Sequence, residues 1–95
     1  MKYDLVSIKK TILPILRRHH VKKAGLFGSC VRGKLKKTSD VDILVDITED
    51  INFLDFVGIK LDLEDALGRK VDLVEYSTIK PLLKNRILKE QVIVI

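Results

Sequence analysis

Asp40 and Asp42 stand two residues apart in the run Asp40-Val41-Asp42-Ile43-Leu44-Val45-Asp46, and Asp72 sits in a second run of the same kind, Val71-Asp72-Leu73-Val74. Side chains alternate across a strand, so a strand here sends the carboxylates of Asp40 and Asp42 to one face and Val41, Ile43 and Val45 to the other. Aspartate is a poor strand former, and two like charges at this spacing repel one another. A divalent cation between them removes that repulsion. A hard ion such as magnesium takes carboxylate oxygens and keeps positions open for substrate phosphates. Taken alone, the pair reads equally well as an exposed acidic edge. If the strand carrying Asp72 pairs with the strand carrying Asp40 and Asp42, a third carboxylate joins the same face. Three carboxylates can hold two metal ions that clamp the attacking and leaving oxygens of a phosphoryl transfer. One of them can also act as general base, a role that falls to Asp72 because it stands apart from the adjacent pair.

A second chemical feature precedes the first. Leu26-Phe27-Gly28-Ser29 reads as a strand that ends in glycine, with serine opening a helical turn. Such a turn presents backbone N–H groups and a hydroxyl to an anion, and glycine permits close approach. Gly-Ser by itself marks many ordinary turns; its weight comes from standing one short loop before the Asp40 run. Arg32 and Gly33 complete the turn. Arg32 can reach a phosphate or pair with an aspartate to fix the loop, and both readings are open.

The elements that must position these groups follow from periodicity. Leu5, Ile8, Ile12, Ile15 and Leu16 recur at helical spacing over residues 4–20, with Pro14 expected to kink or split the helix. Residues 21–27 read as a strand, and residues 29–33 as a helical turn capped by Gly28 or Ser29. Lys34 to Ser39 reads as a polar loop that delivers the chain into the Asp40–Asp46 strand. A second helix is predicted over 51–67 with Gly68 as its stop, then a strand over 70–75. Pro81 opens a last helix to Glu90 at its first turn, and 92–95 is a closing strand. The expected fold is α/β or α+β, a small mixed sheet of about four strands packed with helices. Phe53 and Phe56 are expected in the core or at a helix–helix interface, and His19-His20 as a cap or solvated end of the first helix.

Composition bounds the rest. Ninety-five residues, 46% apolar and 33% charged, are expected to form a single domain spanning 1–95. No run approaches the length of a membrane helix, and Met1-Lys2-Tyr3-Asp4 lacks the apolar core of a secretory signal, so a cytoplasmic location is expected. Cys30 is the single cysteine, which excludes an intramolecular disulfide and a cysteine metal cluster. Charge is segregated: residues 1–37 carry eleven Lys or Arg against one acid, and residues 38–75 carry eleven Asp or Glu against three bases. An acidic centre between basic flanks can hold cations in the middle and attract phosphates or an acidic partner at the edges.

Gly28-Ser29-Cys30-Val31-Arg32-Gly33 followed by Ser39-Asp40-Val41-Asp42-Ile43-Leu44-Val45 resembles the signature of the DNA polymerase beta-like nucleotidyltransferases, in particular the minimal nucleotidyltransferase domain. The resemblance implies that Gly28 and Ser29 contact the triphosphate, that Asp40 and Asp42 bind two magnesium ions, and that Asp72 completes the site. It implies ATP as substrate and Cys30 as a structural residue. It also implies a helical toxin partner of the HEPN type, with the chain acting as an antitoxin that transfers AMP onto a toxin tyrosine. Two other readings stay open. One is a module that neutralises its partner by covering it, within a homo- or hetero-oligomer. The other is nucleotidyl transfer to RNA or a small molecule; nucleic acid ranks last, because three Phe and two Tyr give little stacking surface.

Overall fold

The computed structural model describes residues 4–33, 39–47 and 51–95. Except for Ser39, the expected polar loop lies outside the described residues. Helix α1 spans Leu5–Arg18 and strand β1 Val21–Phe27, followed by a 3-10 turn at Gly28–Cys30. Strand β2 is Val41–Ile47, helix α2 Phe53–Leu67 and strand β3 Val71–Glu75. A second 3-10 turn, Tyr76–Thr78, leads into helix α3 at Pro81–Glu90 and strand β4 at Val92–Ile93. Three helices thus pack with a mixed four-stranded sheet in the order β3-β2-β1-β4. β1 runs antiparallel to β2 and β4, whereas β2 and β3 are parallel, joined by α2 as a crossover.

The core lies between the sheet and the two longer helices. Ile8, Ile12, Ile15 and Leu16 of α1 and Ile59, Leu63 and Leu67 of α2 cover Ala24, Leu26, Val41, Ile43, Val45, Val71 and Leu73. Each helix starts and stops where its sequence provides the means. The Asp4 side chain accepts from the Ser7 N–H at 2.8 Å, and Asn52 with Asp55 forms a reciprocal capping box on α2. Gly68 ends α2 in the left-handed conformation at φ 67°. The end of α1 is clasped to α2, with His19 Nε2 2.7 Å and Arg18 Nη2 3.5 Å from Asp62 Oδ2.

Local expectations change at three places. α1 is not split at Pro14, which is exposed on the helix surface. β2 starts at Val41 rather than Asp40. Phe53 is 77% exposed instead of buried, while Phe56 packs partly against the core. Leu44, on the same face of β2 as Asp42, is fully buried, so the sheet's second face is covered as well.

That second face is where α3 belongs. The Tyr76 hydroxyl donates to Gln91 Oε1 at 2.6 Å just past the end of α3. Gly25 of β1 provides the room, because a Cβ there would collide with the Gln91 side-chain oxygen and press on the Tyr76 hydroxyl. β4 then returns antiparallel along β1, with Val94 N–H donating to the Ala24 carbonyl at 2.9 Å.

Candidate active site

Strand pairing decides which of the sequence-predicted groups meet. In the parallel β2–β3 ladder Asp42 lies opposite Asp72, and in the antiparallel β1–β2 ladder Phe27 lies opposite Asp42. The residue after Phe27 is Gly28, which turns the chain at φ 73° and passes directly over the Asp42 carboxylate. A Cβ on Gly28 would overlap Asp42 Oδ2, so the turn and the carboxylate fit only with glycine in place. The turn closes on itself, with the Val31 and Arg32 N–H groups donating to the Gly28 carbonyl at 3.1 and 3.2 Å. It starts one residue earlier than the sequence suggests, capped by Phe27 instead of Gly28 or Ser29.

The electrostatics follow from this crowding. Asp42 is half-buried and its pKa is pushed up from 3.8 to about 6, with burial the largest cause. The charges of Asp72 and Asp40 and a hydrogen bond with Asp72 push in the same direction, and only Arg32 opposes them. Asp40 is exposed just before β2 and acts on Asp42 as a nearby charge; Asp72 is exposed beside it on β3. Carboxylates that repel one another on one surface fit a divalent cation, which would lie among Asp40, Asp42 and Asp72 as hard oxygen ligands. Among the described residues no three His, Cys, Asp or Glu side chains are already gathered closely enough to hold a metal ion. An ion held there would take further ligands from water or substrate phosphate.

Cys30 has no such character. It is buried, its thiol donates to the Phe27 carbonyl at 3.3 Å, and burial and then the Asp42 charge raise its pKa. A thiol held protonated is a poor nucleophile.

A cleft of about 380 Å³ opens over the turn. Phe27, Gly28, Ser29, Arg32 and Asp42 form one wall, and Leu83, Arg86, Ile87 and Glu90 of α3 the other. Arg32 pairs across the cleft with Glu90 at 3.1 Å, a partner outside the two options left open by the sequence. The α3 wall is harder to read from the sequence: Leu83 and Ile87 share one side of the helix, but no α3 residue is fully buried, so spacing alone does not say which strands that side faces.

The protein's relatives share this arrangement of elements. A Methanocaldococcus jannaschii protein named "putative protein adenylyltransferase" is 51% identical over 89 residues, spanning 94% of this chain and 96% of its own length. A solved structure described as a "putative minimal nucleotidyltransferase" superimposes with a TM-score of 0.80 at 34% identity, covering 93% of this chain and 90% of that one. A chain of the complex between a tri-AMPylated Shewanella oneidensis HEPN toxin and an MNT antitoxin has the same fold. There the TM-score is 0.73 at 21% identity, with 95% of this chain and 71% of that one covered. Residues 10–95 match the polymerase beta nucleotidyltransferase family, and the chain belongs to it as a nucleotidyltransferase enzyme.

Proposed function

We propose that this protein is a magnesium-dependent antitoxin that transfers AMP from ATP to a tyrosine of a HEPN-type toxin. One observation carries the active-site part of this reading: strand pairing puts Asp42 beside Asp72, directly beneath the Gly28 turn. Gly28 and Ser29 hold the triphosphate against the turn, where the glycine permits close approach and Ser29 lines the cleft. Asp40, Asp42 and Asp72 hold magnesium, which when bound neutralises phosphate charge and stabilises the charge that develops during transfer. The acceptor hydroxyl attacks the α-phosphorus, the new O–P bond forms as the bond to the bridging α–β oxygen breaks, and pyrophosphate leaves. Asp72, the more exposed carboxylate, takes the hydroxyl proton. The protein acceptor rests on the name of the Methanocaldococcus jannaschii relative, and the toxin on the Shewanella oneidensis complex that shares this fold.

A direct test incubates the protein with magnesium, labelled ATP and a HEPN-type protein encoded beside it. Label is expected on a tyrosine of that protein, and Asp42→Ala is expected to abolish labelling while complex formation survives. Full labelling by an Asp40→Ala, Asp42→Ala double variant would overturn the metal assignment. Toxin neutralisation by a folded triple aspartate variant would favour simple coverage over chemistry.

A further inference from the structure

The α3 wall of the cleft contains an anion site already filled by the chain itself. The Glu90 carboxylate lies between two guanidinium groups, with Arg32 Nη2 at 3.1 Å from Oε2 and Arg86 Nε at 3.4 Å from Oε1. The helix itself gives little reason for an acid at this position. Glu90 is the last residue of α3, where the helix carbonyls make a negative charge unfavourable. Its helical partner Arg86 lies four residues before it, the weaker order for such a pair. All three side chains border the pocket that also contains Gly28, Ser29 and Asp42.

We propose that Glu90 is an internal stand-in for a nucleotide phosphate, and that Arg86 is a nucleotide-binding residue supplied by α3. The inference rests on the nucleotidyl-transfer reading and adds to it a residue and a device. Glu90 holds the two arginines at an oxyanion position on the cleft wall until a phosphate takes its place. The exchange is easy, because Arg86 is 67% and Arg32 46% exposed, and ion pairs in such surroundings are weak. A phosphate carries more charge than the carboxylate and can accept from both guanidinium groups at once. No residue of α3 is buried, so its side chains can turn toward the ligand without disturbing the core. Arg86 is the binding residue, and Glu90 is the competitor that occupies its guanidinium until a phosphate arrives.

The experiment titrates the full chain with ATP and with adenosine, both in the presence of magnesium. Arg86→Gln is expected to weaken ATP binding about tenfold, the loss of one charge-assisted contact. Arg86→Lys, which keeps the charge, should recover part of that loss and guards against a folding defect. Glu90→Gln is expected to tighten ATP binding, a direction that loss of a merely structural ion pair would not produce. The gain should vanish in the Glu90→Gln, Arg86→Gln double variant, and adenosine binding should be the same in every variant. ATP affinity unchanged in Arg86→Gln, or weakened in Glu90→Gln, would overturn the proposal while leaving nucleotidyl transfer standing. Absence of any ATP binding by the wild-type protein would remove both.

Discussion

Asp42 is the residue at which fold and chemistry conflict most openly. Its folded pKa near 6 lies above the 3.8 of an unperturbed aspartate, so between those values the folded chain binds more protons than the unfolded one. Stability contributed by this group is therefore present at low pH and is lost as the pH rises through about 6. Asp42→Asn is expected to stabilise the metal-free protein at pH 7–8 by about 1–2 kcal/mol, a figure reduced for partial solvent screening. The gain should shrink toward pH 4, which thermal melts in a chelating buffer would check; a destabilised variant at pH 8 would refute it. Magnesium should raise the melting temperature of the wild type and leave Asp42→Asn nearly unmoved. Gly28 supplies the complementary test. Gly28→Ala forces a Cβ into the Asp42 carboxylate at a positive φ, and a loss of about 1–3 kcal/mol is expected in chemical denaturation. Both the strain and the displaced carboxylate should lower nucleotidyl transfer.

At the scale of elements, the helices depend on their ends as much as on their apolar faces. The Asn52–Asp55 box starts α2 immediately before the crossover that brings Asp72 alongside Asp42. Asn52→Ala is expected to cost about 1 kcal/mol, seen as a lowered midpoint in urea with an unchanged slope. The elements were largely legible in the sequence because their signals are local: helical spacing in α1, Gly68 at the end of α2, and Pro81 at the first turn of α3. Phe53 was misread because an aromatic residue near a helix start has the same composition whether it faces the core or solvent. Of the two outcomes expected at Pro14, a kink or a split, the helix is not split.

For the molecule as a whole, legibility follows sequence distance. The proximity of Asp42 and Asp72 could be anticipated from two similar strand runs, although their parallel register could not. The Arg32–Glu90 pair joins positions 58 residues apart and leaves no periodic trace. The same holds for the Tyr76–Gln91 bond over Gly25, which helps seat the end of α3. The aspartates and the Gly-Ser turn could thus be found from the sequence, and the α3 wall of the cleft could not. Among the described residues, no helix is long and apolar enough to cross a membrane.

The two-residue strand β4 has a consequence for the order in which this structure comes apart. It grips β1 through Gly25 and Leu26 pairing with Ile93 and Val92, with the Val94 and Ile95 amides bound to the Ala24 carbonyl. Those bonds join strands about 67 residues apart in sequence, and the helix before them has no fully buried residue. A short edge strand beside a helix with few buried contacts opens at lower free energy than the central strands, in a unit smaller than the whole domain. Amide hydrogens of α3 and β4 should therefore exchange with solvent well before those of β2, and ATP should slow the α3 amides most. The cleft would then be gated by fraying, one wall loosening while the strands that carry the aspartates stay closed.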